Sequence, residues 1–153
     1  VVDIDGIHQL ISCEWTNPTP WNTPRQCSEE ELRKKLEREF KRVDKYESLI
    51  CNLHAPPLNT VLDVAPKLDK NLKQVMQFGN PVSINVGSGA VRSAIERYQP
   101  FVSLHGHIHE SCGFEYIGRT VCINPGSEYE SGLLRGYVID LPPKKFEFWR
   151  VEA

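Results

Sequence analysis

Leu104-His105-Gly106-His107-Ile108-His109-Glu110 is the stretch on which the reading of this chain turns. The apolar segment 101–104 leads into it as a strand would, and Gly106 then interrupts the run among three histidines at every second position. Imidazoles at that spacing can converge on a cation where a strand runs out into a loop, and neutral histidine is the commonest metal ligand. The chain holds 5 histidines in 153 residues, so three within five positions is a concentration that points to a site. A further histidine stands in Asn52-Leu53-His54-Ala55-Pro56-Pro57, where the apolar segment 47–53 ends. Two strand ends that deliver histidine into loops point to metal chemistry. His105 also has a plainer reading, as a hydrogen-bonded core residue.

Working outward, residues 1–5 and 7–13 read as two short strands joined by a tight turn at Gly6. Prolines at 18, 20 and 24 keep 14–27 out of regular structure, which makes it a surface loop. Ser28 then opens the clearest helix, with Glu31 placed for a capping box and Leu32, Leu36, Phe40 and Val43 along one face. Its other face balances seven Lys/Arg against seven Asp/Glu over 28–47, the signature of a solvated surface. Residues 69–78 read as a short helix and 82–86 as a strand. Gly87-Ser88-Gly89 leads into a second amphipathic helix that carries Val91, Ala94, Ile95 and Tyr98 and ends at Gln99-Pro100. The segments 113–117, 120–123, 133–141 and 145–151 read as strands between glycine and proline turns. The fold class is therefore α/β for the first two-thirds, ending in antiparallel β-strands.

Length and composition suit one domain over 1–153, with 40% hydrophobic and 25% charged residues setting it apart from disordered chains. A net charge of -2 gives no electrostatic case for nucleic acid. No apolar run is long enough for a membrane span, and no signal peptide is visible. Cys13, Cys27, Cys51, Cys112 and Cys122 are odd in number and form no C-x-x-C pair, which suits a reducing, cytoplasmic setting. Cys112, three residues after His109, is a conceivable zinc thiolate, but a small buried residue is its plainer role. The Gly87-Ser88-Gly89 turn sits where backbone amides can bind phosphate. It lacks both the third glycine of a dinucleotide fingerprint and the lysine of a P-loop, so a simple bend is the stronger reading.

Val1-Val2-Asp3-Ile4-Asp5-Gly6 resembles the first motif of haloacid dehalogenase-type phosphatases, in which the first aspartate is a nucleophile and the second an acid/base beside magnesium. That chemistry also needs a late acidic pair, which is not found, and Ile7 stands where the motif has threonine. The alternative is a β-hairpin with Asp3 and Asp5 exposed beside a turn glycine.

The histidine pattern carries a second resemblance. His54 at an apolar strand end, Gly106-His107-Ile108-His109, and Asn124-Pro125-Gly126-Ser127 together resemble the C-terminal portion of calcineurin-like metallophosphoesterases, over about residues 1–141. Metallo-β-lactamase-like hydrolases fit worse, because His109 and Glu110 stand where their motif has Asp and His. Amidohydrolases need a barrel longer than this chain.

The resemblance implies part of a four-layer α/β/β/α sandwich and hydrolysis of phosphate mono- or diesters by a two-metal mechanism in the full-length parent. His54 and His107 would bind one metal and His109 the other, the ions being Mn, Fe, Zn or Ni. His105 matches no ligand in that pattern and would support the site from behind or simply pack. Glu110 would orient an imidazole through its other ring nitrogen. The family's D-x-H, G-D-x-x-D and G-N-H-[DE] motifs do not occur here. A segment preceding Val1 is expected to carry them, together with the histidine that acts on the leaving group. No catalytic residue is therefore assigned within these 153 residues.

Two divalent ions about 3.5 Å apart repel by about 19 kcal/mol at an effective dielectric of about 20, and neutral imidazoles do not offset this. The chain alone is expected to bind at most one ion weakly, to be inactive on phosphate esters, and to expose a sheet edge that favours a homodimer. A non-catalytic metal-binding or interaction module, in which the histidines only staple loops, is the remaining alternative.

Overall fold

The computed structural model describes residues 1–143 and 145–153. In chain order the first strands are β1 (Val2–Asp3), β2 (Gln9–Cys13), β3 (Leu49–Leu53), β4 (Val64–Pro66), β5 (Met76–Gln77), β6 (Asn80–Pro81) and β7 (Ser83–Asn85). The remainder are β8 (Val102–Leu104), β9 (Gly113–Ile117), β10 (Thr120–Asn124), β11 (Arg135–Asp140) and β12 (Glu147–Glu152). Helix α1 (Glu29–Phe40) lies between β2 and β3, and α2 (Gly89–Tyr98) precedes β8.

The main sheet runs β1-β2-β3-β8-β10-β9. Its four inner strands are mutually parallel, and antiparallel β1 and β9 close the two edges. Strand alternation sorts its side chains into two layers. Leu49, Cys51 and Leu53 on β3, with Ile11, Cys13 and Cys122, turn toward the helices. Ile50, Val102, Val121 and Ile123 turn the other way and meet Tyr137, Ile139 and Phe148 of the β11–β12 hairpin. Helices, mixed sheet and hairpin thus stack as three layers. The α/β class and the antiparallel C-terminal end agree with the sequence reading.

Helix α1 begins where the sequence places it. The Ser28 hydroxyl accepts from Glu31 N at 3.2 Å, and the Glu31 carboxylate accepts from Ser28 N at 3.0 Å, which satisfies two otherwise orphaned donors. Leu32, Leu36 and Phe40 are buried, and Val43 continues the apolar face just past the helix end. Burying each of these large side chains stabilises the fold by about 1.5–3 kcal/mol. Phe40 stacks on Tyr98 with ring centroids 4.4 Å apart, and so couples α1 to α2.

The helix expected over 69–78 does not form. Leu72 (φ 61°) and Phe78 (φ 50°) are left-handed, a conformation an α-helix excludes. The Asp69 carboxylate accepts from Asn71 N at 2.7 Å and Lys73 N at 3.0 Å, and this local turn outcompetes helical hydrogen bonding. The chain then forms β5, turns at Phe78-Gly79 and returns as β6. At the N-terminus the expected strand 1–5 shortens to β1, because Ile4 onward is drawn into the turn that precedes β2.

Candidate metal centre

Because β2, β3 and β8 are parallel and in register, they end at one edge of the sheet. Cys13 lies beside Leu53, and Asn52 lies beside Leu104. The next residues, Glu14, His54 and His105, therefore leave the sheet side by side, at the carboxyl end where α/β folds collect their ligands. Backbone bonds hold the exits together: His54 N donates to Cys13 O at 2.9 Å, and Gly106 N donates to His54 O at 3.2 Å. His107 has φ 65°, a left-handed conformation sparsely populated by non-glycine residues and common at functional sites. Its ring meets that of His54 with centroids 4.9 Å apart and planes at 61°.

The two rings share a cleft of about 180 Å³ with Glu14, Thr16, Thr23 and Arg25. Burial pushes His107 down to about 4, with repulsion from His54 and His109 adding. Burial also lowers His54, helped by His109 and Arg25. Both rings are neutral at pH 7 and keep a lone pair for a ligand. Neither ring is hydrogen-bonded to another group among the described residues. His109 is near enough to act electrostatically on both rings but lines a different cleft. Its ring packs edge-on against Tyr129 at 5.5 Å and lines a second cleft, of about 380 Å³, with Glu110, Cys112, Glu128 and Glu130.

The structure therefore brings His54 and His107 together and turns His109 to the neighbouring surface. Two neutral imidazoles suit a single borderline ion such as zinc. Among the described residues, however, no three His, Cys, Asp or Glu side chains are arranged to hold a metal.

His105 behaves as a structural residue. It is buried, and its Nδ1–H donates to Ala55 O at 2.9 Å and Leu53 O at 3.1 Å, the carbonyls on either side of His54. Burial holds it down to about 4, and its Nε2 is buried without a partner. Glu110 is exposed and makes no hydrogen bond to an imidazole among the described residues. Cys112 is exposed as well, contrary to the expected buried role, because it lies in the loop before β9.

Several supports were not foreseen from the sequence. Buried Asn124 donates from Nδ2 to Ile108 O at 3.0 Å and Leu62 O at 3.2 Å, while its Oδ1 accepts from Gly126 N at 3.0 Å. The Asn-Pro-Gly-Ser turn thus clamps the histidine loop to the chain that follows His54. The buried Asp63 carboxylate accepts from Thr60 N at 2.8 Å and Gly87 N at 2.8 Å. A Cβ on Gly87 would come within 2.7 Å of Pro56 O, so this glycine permits a close backbone approach. The Glu29 carboxylate accepts from Ala90 N and from the Ser88 hydroxyl, each at 2.8 Å. The first turn of α2 therefore already holds an anion from the chain itself, and the bend reading of Gly87-Ser88-Gly89 stands.

Asp3 and Asp5 lie at the opposite end of the sheet, in the turn before β2. Asp3 accepts from Gly6 N at 2.7 Å, and Asp5 accepts from His8 N at 2.8 Å and Ile7 N at 3.0 Å. Asp5 also pairs with His8 Nδ1 at 2.8 Å, and these contacts, the His8 backbone bond foremost, hold it down to about 2.

No protein-family model matches the chain. It is 36% identical, over 127 residues and 82% of its length, to the uncharacterized protein MJ1162 of Methanocaldococcus jannaschii, half of which it spans. A chain of solved crystal structure superposes with a TM-score of 0.65 at 20% identity, over 97% of this chain and 51% of its own length. At that identity the likeness concerns the fold. No helix among the described residues is long and apolar enough to cross a membrane.

Proposed function

We propose that this chain is the imidazole-bearing portion of a calcineurin-like metallophosphoesterase, a hydrolase of phosphate mono- or diesters. The observation that carries the reading is the His54–His107 pair: two neutral rings 4.9 Å apart, delivered to one sheet edge by β3 and β8. His54 and His107 would hold one divalent ion (Mn, Fe, Zn or Ni) and His109 a second, with carboxylate and asparagine ligands from beyond this segment. Bound divalent ions would supply Lewis-acid stabilisation of phosphoryl charge and an activated water.

The chain's own residues orient and shield that chemistry. His105 fixes the carbonyls around His54, and Asn124 fixes the loop of His107 and His109. On this reading the helices, sheet and hairpin would form part of an α/β/β/α sandwich, and the β1 edge, with Val2, Ile4 and Ile7 exposed, is where further strands or a second copy would pair. The haloacid dehalogenase reading is disfavoured by position, since Asp3 and Asp5 sit at the amino end of β2 with their oxygens engaged by turn amides.

Calorimetric titration of the 153-residue chain with Mn²⁺ and Zn²⁺ tests the reading, alongside a phosphatase assay with p-nitrophenyl phosphate. The expected result is one weakly bound ion, lost in His54→Ala and His107→Ala, and no turnover. Failure of either metal to bind would sink the assignment, and turnover by this chain alone would sink its dependence on further acidic ligands.

A further inference from the structure

The loop 14–27 is left unused by the metal reading, yet it is built to hold one shape. Thr16 N donates to Arg25 O at 3.0 Å, and Cys27 N donates to Thr16 O at 3.0 Å. The Gln26 amide bridges Thr19 and Thr23, with Nε2 donating to the two hydroxyls at 2.6 and 2.5 Å. Asn17 Nδ2 ties the loop across to Val86 O at 3.1 Å. Within this frame Arg25 takes φ 65°, a conformation that costs free energy for a non-glycine residue and is imposed here by the closed loop.

The frame puts Arg25 and Thr23 on the wall of the cleft that contains His54 and His107. Among the described residues Arg25 forms no ion pair, whereas the arginines of α1 and α2 are matched with glutamates. Glu14 also lines the cleft but stands outside ion-pair distance of Arg25. A guanidinium without a carboxylate partner beside His54 and His107 is free to take an anion. At about 180 Å³ the cleft has room for a group the size of a phosphoryl.

The geometry points to Arg25 as the anchor of a terminal phosphoryl group, taken as inorganic phosphate or as a phosphomonoester. Its planar fork can donate to two unesterified oxygens at once, which a lysine ammonium cannot. Arg25 is exposed, so solvent screening keeps the affinity modest. The inference draws its substrate class from the proposed phosphoesterase reading, but the anion site needs no metal and can be tested without one.

The test is a titration of the whole chain, free of metal, with inorganic phosphate and then with phenyl phosphate, followed by ³¹P NMR or calorimetry. Binding should be in the millimolar range. Arg25→Met should weaken it by about tenfold or more, with Arg25→Lys in between, since it keeps the charge and loses the fork. Glu14→Gln removes a like charge from the cleft and should tighten binding about two- to fivefold. Circular dichroism melts check that each variant is folded, and should Arg25→Met not fold, Arg25→Lys and Glu14→Gln decide the matter.

Indifference of phosphate binding to Arg25, or dimethyl phosphate competing as well as phenyl phosphate, would overturn the assignment. Arg25-dependent phosphate binding without any metal binding would leave this site standing while removing the metallophosphoesterase reading. Metal binding with no role for Arg25 would do the reverse.

Discussion

The two ends of the parallel strands carry similar residue types and use them in opposite ways. At the amino end, Asp3 and Asp5 accept from turn amides and Asp5 also pairs with His8, so these groups serve the turn that leads into β2. At the carboxyl end, the rings of His54 and His107 meet edge-on with no hydrogen-bond partner among the described residues, and partial desolvation holds both below the ordinary imidazole value. Residue identity is therefore a poor guide to chemistry until the local donors and acceptors are accounted for. An aspartate in a tight turn is bound by its own backbone, whereas the rings of His54 and His107, carried past the strand ends, are left without hydrogen-bond partners among the described residues.

This contrast can be broken or sharpened by experiment. The largest expected effect lies behind the histidine end. His105 is held at about 4, below its ordinary value near 6.5, so on acidification the unfolded chain takes up this proton first. The stabilisation is complete above about pH 6.5 and is lost as the pH falls through about 4, a change on the order of 3 kcal/mol. Urea melts from pH 7 to 4 should show this slope in the wild type and a flatter one in His105→Leu. Equal slopes would mean that the buried ring is not the source.

Next is Gly87→Ala, whose Cβ would meet Pro56 O at 2.7 Å and Asp63 Cβ at 2.8 Å. Overpacking of this kind costs about 1–3 kcal/mol and should disturb the His54 loop before the Asp5 turn. Hydrogen exchange resolves the two regions, and uniform destabilisation of both would argue against a local clamp.

Smaller, and resting on the proposed metal reading, is loss of Zn²⁺ binding by about tenfold or more in His107→Ala, with Asp3→Asn and Asp5→Asn unchanged. Weaker binding in the aspartate variants would reverse the contrast.

The smallest effect concerns Asp5. Its lowered value means that its contribution is present above about pH 3.8 and disappears as the pH falls through about 2. Asp5→Asn should lower the melting temperature only slightly at pH 7 and still less at pH 2, and a large drop at pH 2 would show a role beyond the turn.

Helix α1 was legible to its cap because its signals are local: Ser28, Glu31 and the apolar positions 32, 36 and 40 lie within a few turns of one another. The segment 69–78 was not, because the Asp69 carboxylate folds the backbone around itself in a turn that competes with a helix. The histidine motif was legible as a metal-ligand pattern, but the separation into two clefts, His109 on one and the His54–His107 pair on the other, was not. That separation depends on the left-handed turn at His107 and on which surface each ring meets. Asp63 and Arg25 escaped notice, and Asn124 stood out only as part of its motif and not as a clamp, for a common reason. Their partners lie in other segments of the chain, and no periodicity or short motif records such contacts.

By itself, then, the sequence determined the α/β class, the cap of α1 and the apolar faces of both helices, and the strand ends at which histidines emerge, all products of short-range patterns. Only the tertiary structure decided that His54 and His107 meet, that the α2 terminus is satisfied by Glu29, and that a proline-rich loop places Arg25 on the histidine cleft. Each of these depends on the parallel register of β2, β3 and β8, which brings residues about fifty positions apart to one edge of the sheet.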